Sequence, residues 1–193
     1  MVLPKRKPAT YQDLIDLPEN VVGEILDGAL HVSPRPAPPH ALASSMLSGD
    51  ISPFQRGRRG GPGGWWILFE PELHLGGDIL VPDLAGWRIE RLPEMPATAG
   101  FELAPDWICE VVSPSSKRHD RLRKMPKYAA AGVTWLWLVD PLEQTLEAYR
   151  LEGTRWLLLG AWGGADVARV EPFDAIELDL TGWWHVAPLP DEP

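Results

Sequence analysis

Two acidic residues lie inside apolar segments of the sequence, where a carboxylate is unusual. Glu110 occurs in "WICEVV", and Asp83 occurs about 27 residues earlier in "ILVPDLAGW". A lone buried carboxylate is costly and is driven toward protonation unless a cation, a hydrogen-bond network or a metal ion compensates it. If the two segments form adjacent strands, the acids repel one another unless a divalent cation lies between them. Carboxylate oxygens suit Mg²⁺ or Mn²⁺ better than zinc, so the pair is a candidate metal site.

Plainer interpretations are open for both acids. Glu110 could form a structural ion pair with a nearby Lys or Arg, and "PD" is also ordinary turn chemistry. Pro82 removes a backbone donor and therefore indicates a strand edge or a bulge at Asp83. Bulges are common beside active sites because they change the direction in which a side chain points.

A basic segment follows Glu110. Residues 116–131 predict a helix that Pro126 must kink or restart. Asp120 and Lys124 are four residues apart, so we expect them on one helix face, with Lys127 near it. The alternative to a functional face is a solvated one, whose ion pair would contribute only about 0.3–0.5 kcal/mol. An exposed Lys124 predicts little loss of stability for Lys124→Ala.

The N-terminal half predicts the elements that position Asp83. The segment "VVGEILDGALHV" has two apolar arms around "DG", which is a strong hairpin signal. Helices are expected from Thr10 to about Leu17 and from His40 to about Phe54. The segments "WWILFEPELHL" and "ILVPDLAGW" predict two strands that "GGD" joins as a further hairpin.

The C-terminal half predicts the elements that position Glu110. The strand–helix–strand passage from Trp107 to Asp140 implies a parallel crossover. Within it, "TWLWLVD" is apolar throughout, as expected of a central strand that is covered on both faces. A last hairpin is expected where "TLEAYRL" and "RWLLLGAW" flank "EG". The predicted class is a mixed-sheet α/β domain spanning residues 1–193, with flexible ends at about 1–9 and 186–193.

Composition excludes several classes of protein. No apolar run approaches the ~20 residues that cross a bilayer, and the N-terminus lacks the apolar stretch of a signal peptide, so no membrane partner is expected. The single cysteine, Cys109, excludes an internal disulfide and a cysteine-based zinc cluster, and it fits a reducing, cytoplasmic setting. A formal net charge of −9 argues against a surface coated in basic residues for tight, non-specific nucleic-acid binding. A local basic patch stays open.

The order of these motifs resembles the bacterial Uma-two family of predicted endonucleases, a branch of the PD-(D/E)xK restriction-endonuclease-like superfamily. The resemblance rests on "VPD", "ICEVVSPSS" and "HDRLRKMPKYAAAGVTWLWLVDP", and it extends to the "GEILDGAL" hairpin and the stretch that ends at His40. It implies a single-domain restriction-endonuclease-like fold, in which helices flank a central mixed β-sheet with added β-hairpins. It also implies a Mg²⁺-dependent (or Mn²⁺-dependent) site for phosphodiester hydrolysis, with Asp83 as the PD aspartate and Glu110 as the following acid.

One position departs from the superfamily pattern, which places a Lys two residues after the acid. That position is Val112 here, and the resemblance implies that Lys124 supplies the basic group instead. Asp83, Glu110 and Lys124 are therefore the predicted catalytic residues. A second tier of candidates comprises Glu24, His40 and Asp120. Glu24 could be a third metal ligand or an acid that contacts the ligands, and His40 could position water or phosphate. Structural roles are the alternative for these residues.

The predicted partner is nucleic acid, with DNA favoured. Candidate contacts are Lys127 and three arginines of the basic, glycine-rich segment "QRGRRGGPGG", Arg56, Arg58 and Arg59, although such loops are often only flexible connectors. The predicted function is a metal-dependent endonuclease. Two alternatives remain: a nuclease-derived binding or regulatory module without activity, which Val112 motivates, and a structural protein whose buried acids form ion pairs. A homodimer is left open.

Overall fold

The computed structural model describes residues 7–57 and 60–184. Arg58, Arg59 and most of the two predicted flexible ends therefore lie outside the described residues. Near the N-terminal end, the Ala9 amide donates to the Gly28 carbonyl oxygen at 2.8 Å. The helical elements are short except for the second, and they are α1 (Tyr11–Ile15), α2 (Pro38–Ile51), α3 (Lys117–His119), a π-helical turn (Asp120–Lys124), α4 (Met125–Ala130) and 3₁₀ turns at Ser52–Phe54 and Leu180–Trp184.

Strands form two larger sheets and one small one. The strands are β1 (Val21–Leu26), β2 (Ala29–Pro34), β3 (Trp65–Phe69), β4 (Leu73–Leu75), β5 (Asp78–Leu80), β6 (Leu84–Arg88), β7 (Trp107–Val111), β8 (Trp135–Asp140), β9 (Thr145–Glu152), β10 (Arg155–Gly163), β11 (Val167–Ala168) and β12 (Leu178–Asp179). The six-stranded sheet has the order β10-β9-β8-β7-β6-β3, the four-stranded sheet has the order β2-β1-β5-β4, and β11 pairs with β12. The large sheet is mixed because β7 and β8 are parallel whereas its other pairs are antiparallel.

The predicted crossover is confirmed at the centre of the large sheet. Strands β7 and β8 run parallel with Trp107 opposite Trp135, and the segment between them is helical. Each strand is covered on both faces, since Cys109 and Trp137 pack into one apolar cluster and Ile108 and Leu136 pack into another. The two hairpins predicted at "DG" and "EG" are also confirmed.

The two strands expected around Asp83 are each broken, which corrects the prediction. The segment "WWILFEPELHL" divides into β3 and β4, and "ILVPDLAGW" divides into β5 and β6. Pro71 and Pro82 lie at the two breaks, and proline cannot donate a ladder hydrogen bond. The expected hairpin is consequently divided between the two larger sheets. Strands β4 and β5 pair in the four-stranded sheet, where β5 also pairs with β1, whereas β3 and β6 pair in the six-stranded sheet. Asp83 lies in the link between the sheets.

The helix after Glu110 is also different from the prediction. It restarts at Pro126 as expected, but Asp120–Lys124 forms a π-helical turn. Wide turns of this kind are frequent at functional sites. The polar side chains point inward: Asp120 and Lys124 are each 4% exposed, whereas the apolar Leu122 is 60% exposed. The alternative prediction, that Asp120 and Lys124 lie on a solvated helix face, is therefore wrong.

Candidate active site

Asp83 lies at the end of the large sheet, next to the strand that carries Glu110. Asp83 immediately precedes β6, and Glu110 lies in β7, the neighbouring strand. The antiparallel register pairs Leu84 with Cys109, so its continuation brings Asp83 opposite Glu110. The Val111 amide donates to Asp83 Oδ2 at 2.6 Å, which fixes the aspartate against β7.

Glu110 is buried and its carboxylate is held from the following helix. Tyr128 Oη donates to Glu110 Oε1 at 2.5 Å, and Lys124 Nζ lies 2.8 Å from the same oxygen. Only 3% of Glu110 is exposed. Buried charges of this kind need close partners, and here the π-helical turn and the first turns of α4 supply them.

Lys124 links the two larger sheets. Its Nζ lies 3.0 Å from Oε1 of Glu24 on β1 and 2.8 Å from Oε1 of Glu110 on β7. It also donates to the Val81 carbonyl oxygen at 3.4 Å. The ammonium is thus enclosed by two carboxylate oxygens and one carbonyl oxygen. The Val81 amide donates to Glu24 Oε1 at 2.8 Å, so Glu24 and Lys124 together hold the backbone two residues before Asp83.

Four carboxylates, Glu24, Asp83, Glu110 and Asp120, lie around this one buried ammonium, and two of them, Glu24 and Glu110, contact it. Burial raises the pKa of Glu110 well above its usual value; Lys124 opposes that shift, and Asp120, Asp83 and Glu24 reinforce it. Burial also raises the pKa of Asp120. Burial by itself would lower the pKa of Lys124, but Glu110 and the other anionic neighbours outweigh it and raise the pKa well above its usual range. If all four acids are ionised, they outnumber the one ammonium, and a further cation would relieve that excess of negative charge.

The carboxylates open onto a cavity of about 460 Å³ between the two larger sheets, α2 and the π-helical turn. Cavities of ~300–1,000 Å³ are typical of ligand sites. All six residues of the predicted catalytic set and second tier line it. The structure thus brings together Glu24, His40, Asp83, Glu110, Asp120 and Lys124.

The donor set fits a hard divalent cation held by two carboxylates. Among residues 7–57 and 60–184, no three His, Cys, Asp or Glu side chains are grouped closely enough to hold a metal ion together. Glu24 contacts Lys124 and Val81 instead of completing such a group. Mg²⁺, however, usually keeps several waters and binds through one or two carboxylates together with substrate phosphates. Asp83 and Glu110 are the candidates for such a pair, since the strand register places them opposite each other and both line the cavity.

The basic residues predicted to contact nucleic acid are not at the cavity where the structure describes them. Arg56 lies over the Trp66 ring, 4.8 Å from its centroid, and donates to the Pro93 carbonyl oxygen. Lys127 pairs with Asp27 and lies 2.9 Å from Asp78 Oδ2. The cavity is lined instead by Arg35, whose Nη1 lies 2.8 Å from Glu70 Oε2.

Several residues at this site were not predicted from the sequence. Tyr128 follows Lys124 by four residues, so helical spacing could have placed it beside Glu110. His31 lies opposite Glu24 in the β1–β2 hairpin, a register that the "DG" turn makes predictable. The His119 ring lies against the His31 ring at a tilt of 47°, with 4.8 Å between ring centroids, and His119 Nε2 lies 3.9 Å from Glu24 Oε2. Burial lowers the pKa of His119, although Glu24 opposes the shift.

The chain matches one known protein family over most of its length. A profile of the Uma2 family, described as "Putative restriction endonuclease", matches residues 8–181. The chain belongs to the Uma2 family. A comparison with curated proteins finds no match for this Uma2 chain.

A solved structure has the same fold as this Uma2 chain. It is a crystal structure of "a putative nuclease belonging to DUF820 from Anabaena variabilis ATCC 29413". The two have a TM-score of 0.71 with 22% sequence identity, and the match covers 92% of this chain and 98% of that chain. The predicted restriction-endonuclease-like α/β fold, with a mixed sheet, flanking helices and added hairpins, is confirmed. No helix in the described part of the chain is long and apolar enough to span a membrane.

Val112 explains where this Uma2 chain departs from the superfamily pattern. Its side chain is 1% exposed and packs with Tyr128 and Leu138 in an apolar cluster. A lysine there would place its charge in that cluster, which is costly. The ammonium beside Glu110 is that of Lys124, whose Nζ lies 2.8 Å from Glu110 Oε1.

Proposed function

We propose that the chain is a divalent-metal-dependent endonuclease that hydrolyses phosphodiester bonds in DNA. One observation carries the proposal: Asp83 lies next to the strand that carries Glu110, and the two acids, beside a buried lysine, open onto one cavity. Membership of the Uma2 family supports the reaction class. In this proposal Asp83 and Glu110 hold Mg²⁺ or Mn²⁺. When bound, the metal would lower the pKa of a water ligand and neutralise charge on the scissile phosphate.

Lys124 is proposed as the cation that stabilises charge on the phosphate during attack. Its contact with the Val81 carbonyl oxygen, at 3.4 Å, is the longest of its three. A phosphate oxygen can replace that contact with the smallest loss. Glu24 and Glu110 would then keep the ammonium in place while the third donor turns to the substrate.

Arg35 is the proposed contact for the phosphate backbone. Lys124 and Arg35 are the lysine and arginine that line the cavity, and Arg35 is the accessible one, since its side chain is 52% exposed. It also lines a neighbouring cavity of about 580 Å³, so it lies at the junction of the two. A guanidinium forms bidentate hydrogen bonds with phosphate, which suits this position.

We expect Arg35→Ala to weaken binding of double-stranded DNA at least about tenfold, because a hydrogen bond to a charged group contributes roughly 1.5–3 kcal/mol. The slope of log affinity against log salt should become shallower by about 0.9, the effect of one phosphate contact. Fluorescence anisotropy with Ca²⁺, which should permit binding without turnover, measures both quantities. Arg169→Ala is the matched control, since Arg169 is 54% exposed and also pairs with a glutamate, Glu177, but lies outside both cavities. Equal losses in the two variants would contradict a specific role for Arg35.

A cleavage assay tests the proposed function itself. Wild-type protein should nick or cut double-stranded DNA in Mn²⁺ and Mg²⁺ and should be inactive in EDTA. Single-stranded DNA and RNA in parallel reactions test the substrate class. Equal cleavage in EDTA would exclude the metal-dependent mechanism, and RNA as the preferred substrate would correct the DNA assignment.

The second candidate function is a nuclease-derived binding module without activity. The burial of Lys124 between Glu24, Glu110 and the Val81 carbonyl oxygen favours it, because an ammonium enclosed in this way can serve as a structural cation. Metal-dependent binding of DNA without cleavage, in wild type as well as in variants, would establish this candidate.

The proposal also includes a cytoplasmic location, which rests on the lone buried Cys109. A homodimer stays a prediction that analytical ultracentrifugation tests.

A further inference from the structure

His40 is fixed against the candidate metal ligand Asp83. Its Nε2 lies 2.7 Å from Asp83 Oδ1, and the Val111 amide occupies the other oxygen, Oδ2, at 2.6 Å. Both side chains are largely buried, with 16% of His40 and 18% of Asp83 exposed. The carboxylate is therefore held at both oxygens and cannot rotate freely about its bond to the chain.

The helix that carries His40 is anchored in the core. Ala43, Leu47 and Ile51 of α2 are buried in the apolar cluster that also contains Cys109 of β7. Ser44 Oγ donates to the His40 carbonyl oxygen at 3.0 Å, which stabilises the first turn of the helix. A residue on a packed helix holds its partner more accurately than a residue on a loop.

The remaining lone pairs of Asp83 stay free for a cation. An ionised carboxylate has about four acceptor sites on its two oxygens, and the contacts with His40 and Val111 engage one on each oxygen. Groups that hydrogen-bond to a ligating side chain set its orientation and typically change metal affinity or activity by 10–100-fold. His40 is placed for this task, because its ring contacts the carboxylate and lines the same cavity.

We infer that His40 is a positioning residue, which orients the Asp83 carboxylate for a divalent metal ion without binding the metal itself. The inference rests on the proposed function, since it requires a metal at Asp83. It differs from a role in which His40 touches water or phosphate. It also differs from simple packing, because packing alone would leave metal affinity unchanged when the histidine is replaced.

The chain provides a matched control in a second histidine–carboxylate pair. His74 Nε2 lies 2.6 Å from Glu72 Oε1, and both side chains are partly buried, at 34% and 27% exposure. Neither residue lines the cavity of Asp83 and Glu110. Loss of this pair removes the same type of hydrogen bond, and comparable packing, away from the candidate metal site.

The test measures Mn²⁺ affinity by electron paramagnetic resonance of free Mn²⁺, without substrate, for wild type, His40→Ala, His40→Gln and His74→Ala. We expect His40→Ala to bind Mn²⁺ about 10–100-fold more weakly. His40→Gln should recover part of the affinity, because its amide can donate to Asp83, and His74→Ala should match wild type. Thermal melts in EDTA establish that each variant is folded; if His40→Ala is not, the comparison of His40→Gln with wild type decides.

Two results would overturn the inference, and they are distinguishable. If folded His40→Ala binds Mn²⁺ as tightly as wild type, His40 has no positioning role, although the proposed function still stands. If His40→Ala is unfolded, the same conclusion follows when His40→Gln binds Mn²⁺ as tightly as wild type. Absence of Mn²⁺ binding in wild type removes the proposed function, and the inference falls with it. An equal loss in His40→Ala and His74→Ala would assign the effect to general destabilisation and would also contradict the inference.

Discussion

Glu110→Gln should reduce metal-dependent cleavage by more than about 100-fold, because it replaces a charged metal ligand by a neutral amide. Mutating a residue that only orients a ligand already lowers metal affinity or activity by about 10–100-fold. Mg²⁺ or Mn²⁺ should raise the melting temperature of wild type and leave that of the variant unchanged, since binding to the folded state alone is what stabilises it. Without metal, the variant should be at least close to wild type in stability. Lys124 keeps Glu24 as a partner, and a buried carboxylate is removed from a site that already has an excess of them.

Glu147→Gln is the matched control for this experiment. Glu147 accepts hydrogen bonds from Tyr149 and, at 2.8 Å, from Arg121, which parallels the contacts of Glu110 with Tyr128 and Lys124. It does not line the cavity. Cleavage and metal stabilisation should survive this substitution. Equal stabilisation of wild type and Glu110→Gln by metal would show that Glu110 is not a ligand.

Lys124→Ala should be strongly destabilising, by about 3–5 kcal/mol, because it leaves Glu24 and Glu110 buried without their cation. This reverses the small effect that an exposed helix position would predict. Chemical denaturation in EDTA measures the free energy of unfolding without any contribution from metal. Cleavage should also fall, so activity must be compared at a temperature where both proteins are folded.

Lys117→Ala is the control for the destabilisation. Lys117 lies 2.9 Å from Asp140 Oδ2, yet its side chain is 44% exposed. A pair at the surface contributes only about 0–1 kcal/mol, so its loss should be small. A loss below about 1 kcal/mol for Lys124→Ala would contradict the buried, three-way contact of the ammonium.

The sequence predicts the parts of the site that depend on local pattern. Asp83 and Glu110 stand out because each is a carboxylate in an apolar strand, and the parallel crossover follows from the strand–helix–strand order. The break at Pro71 was not predicted, and Pro82 was predicted only to mark a strand edge or a bulge, because apolar residues continue on both sides of each proline. Whether the segments on the two sides of a proline stay in one sheet or join different sheets depends on contacts with distant parts of the chain.

The inward position of Lys124 was beyond reach for a different reason. An ordinary helix places Asp120 and Lys124 on one polar face, and such faces usually meet solvent. The π-helical turn and the excess of buried carboxylates reverse this, so that Leu122 is exposed and Lys124 is buried. Arg35 gave no signal either, since its place at the cavity depends on the fold bringing the end of β2 and the link that contains Asp83 to the same cavity.

Anomalous diffraction from crystals grown with Mn²⁺ tests the central claim most directly. The account predicts one anomalous peak in the cavity, within about 2.0–2.4 Å of oxygens from both Asp83 and Glu110, and its disappearance in crystals of Glu110→Gln. Water molecules should complete the coordination of the ion, and Lys124 should remain beside Glu110. A fully folded wild-type structure at saturating Mn²⁺ with no peak at these carboxylates, or with its peak at another site, would contradict the account.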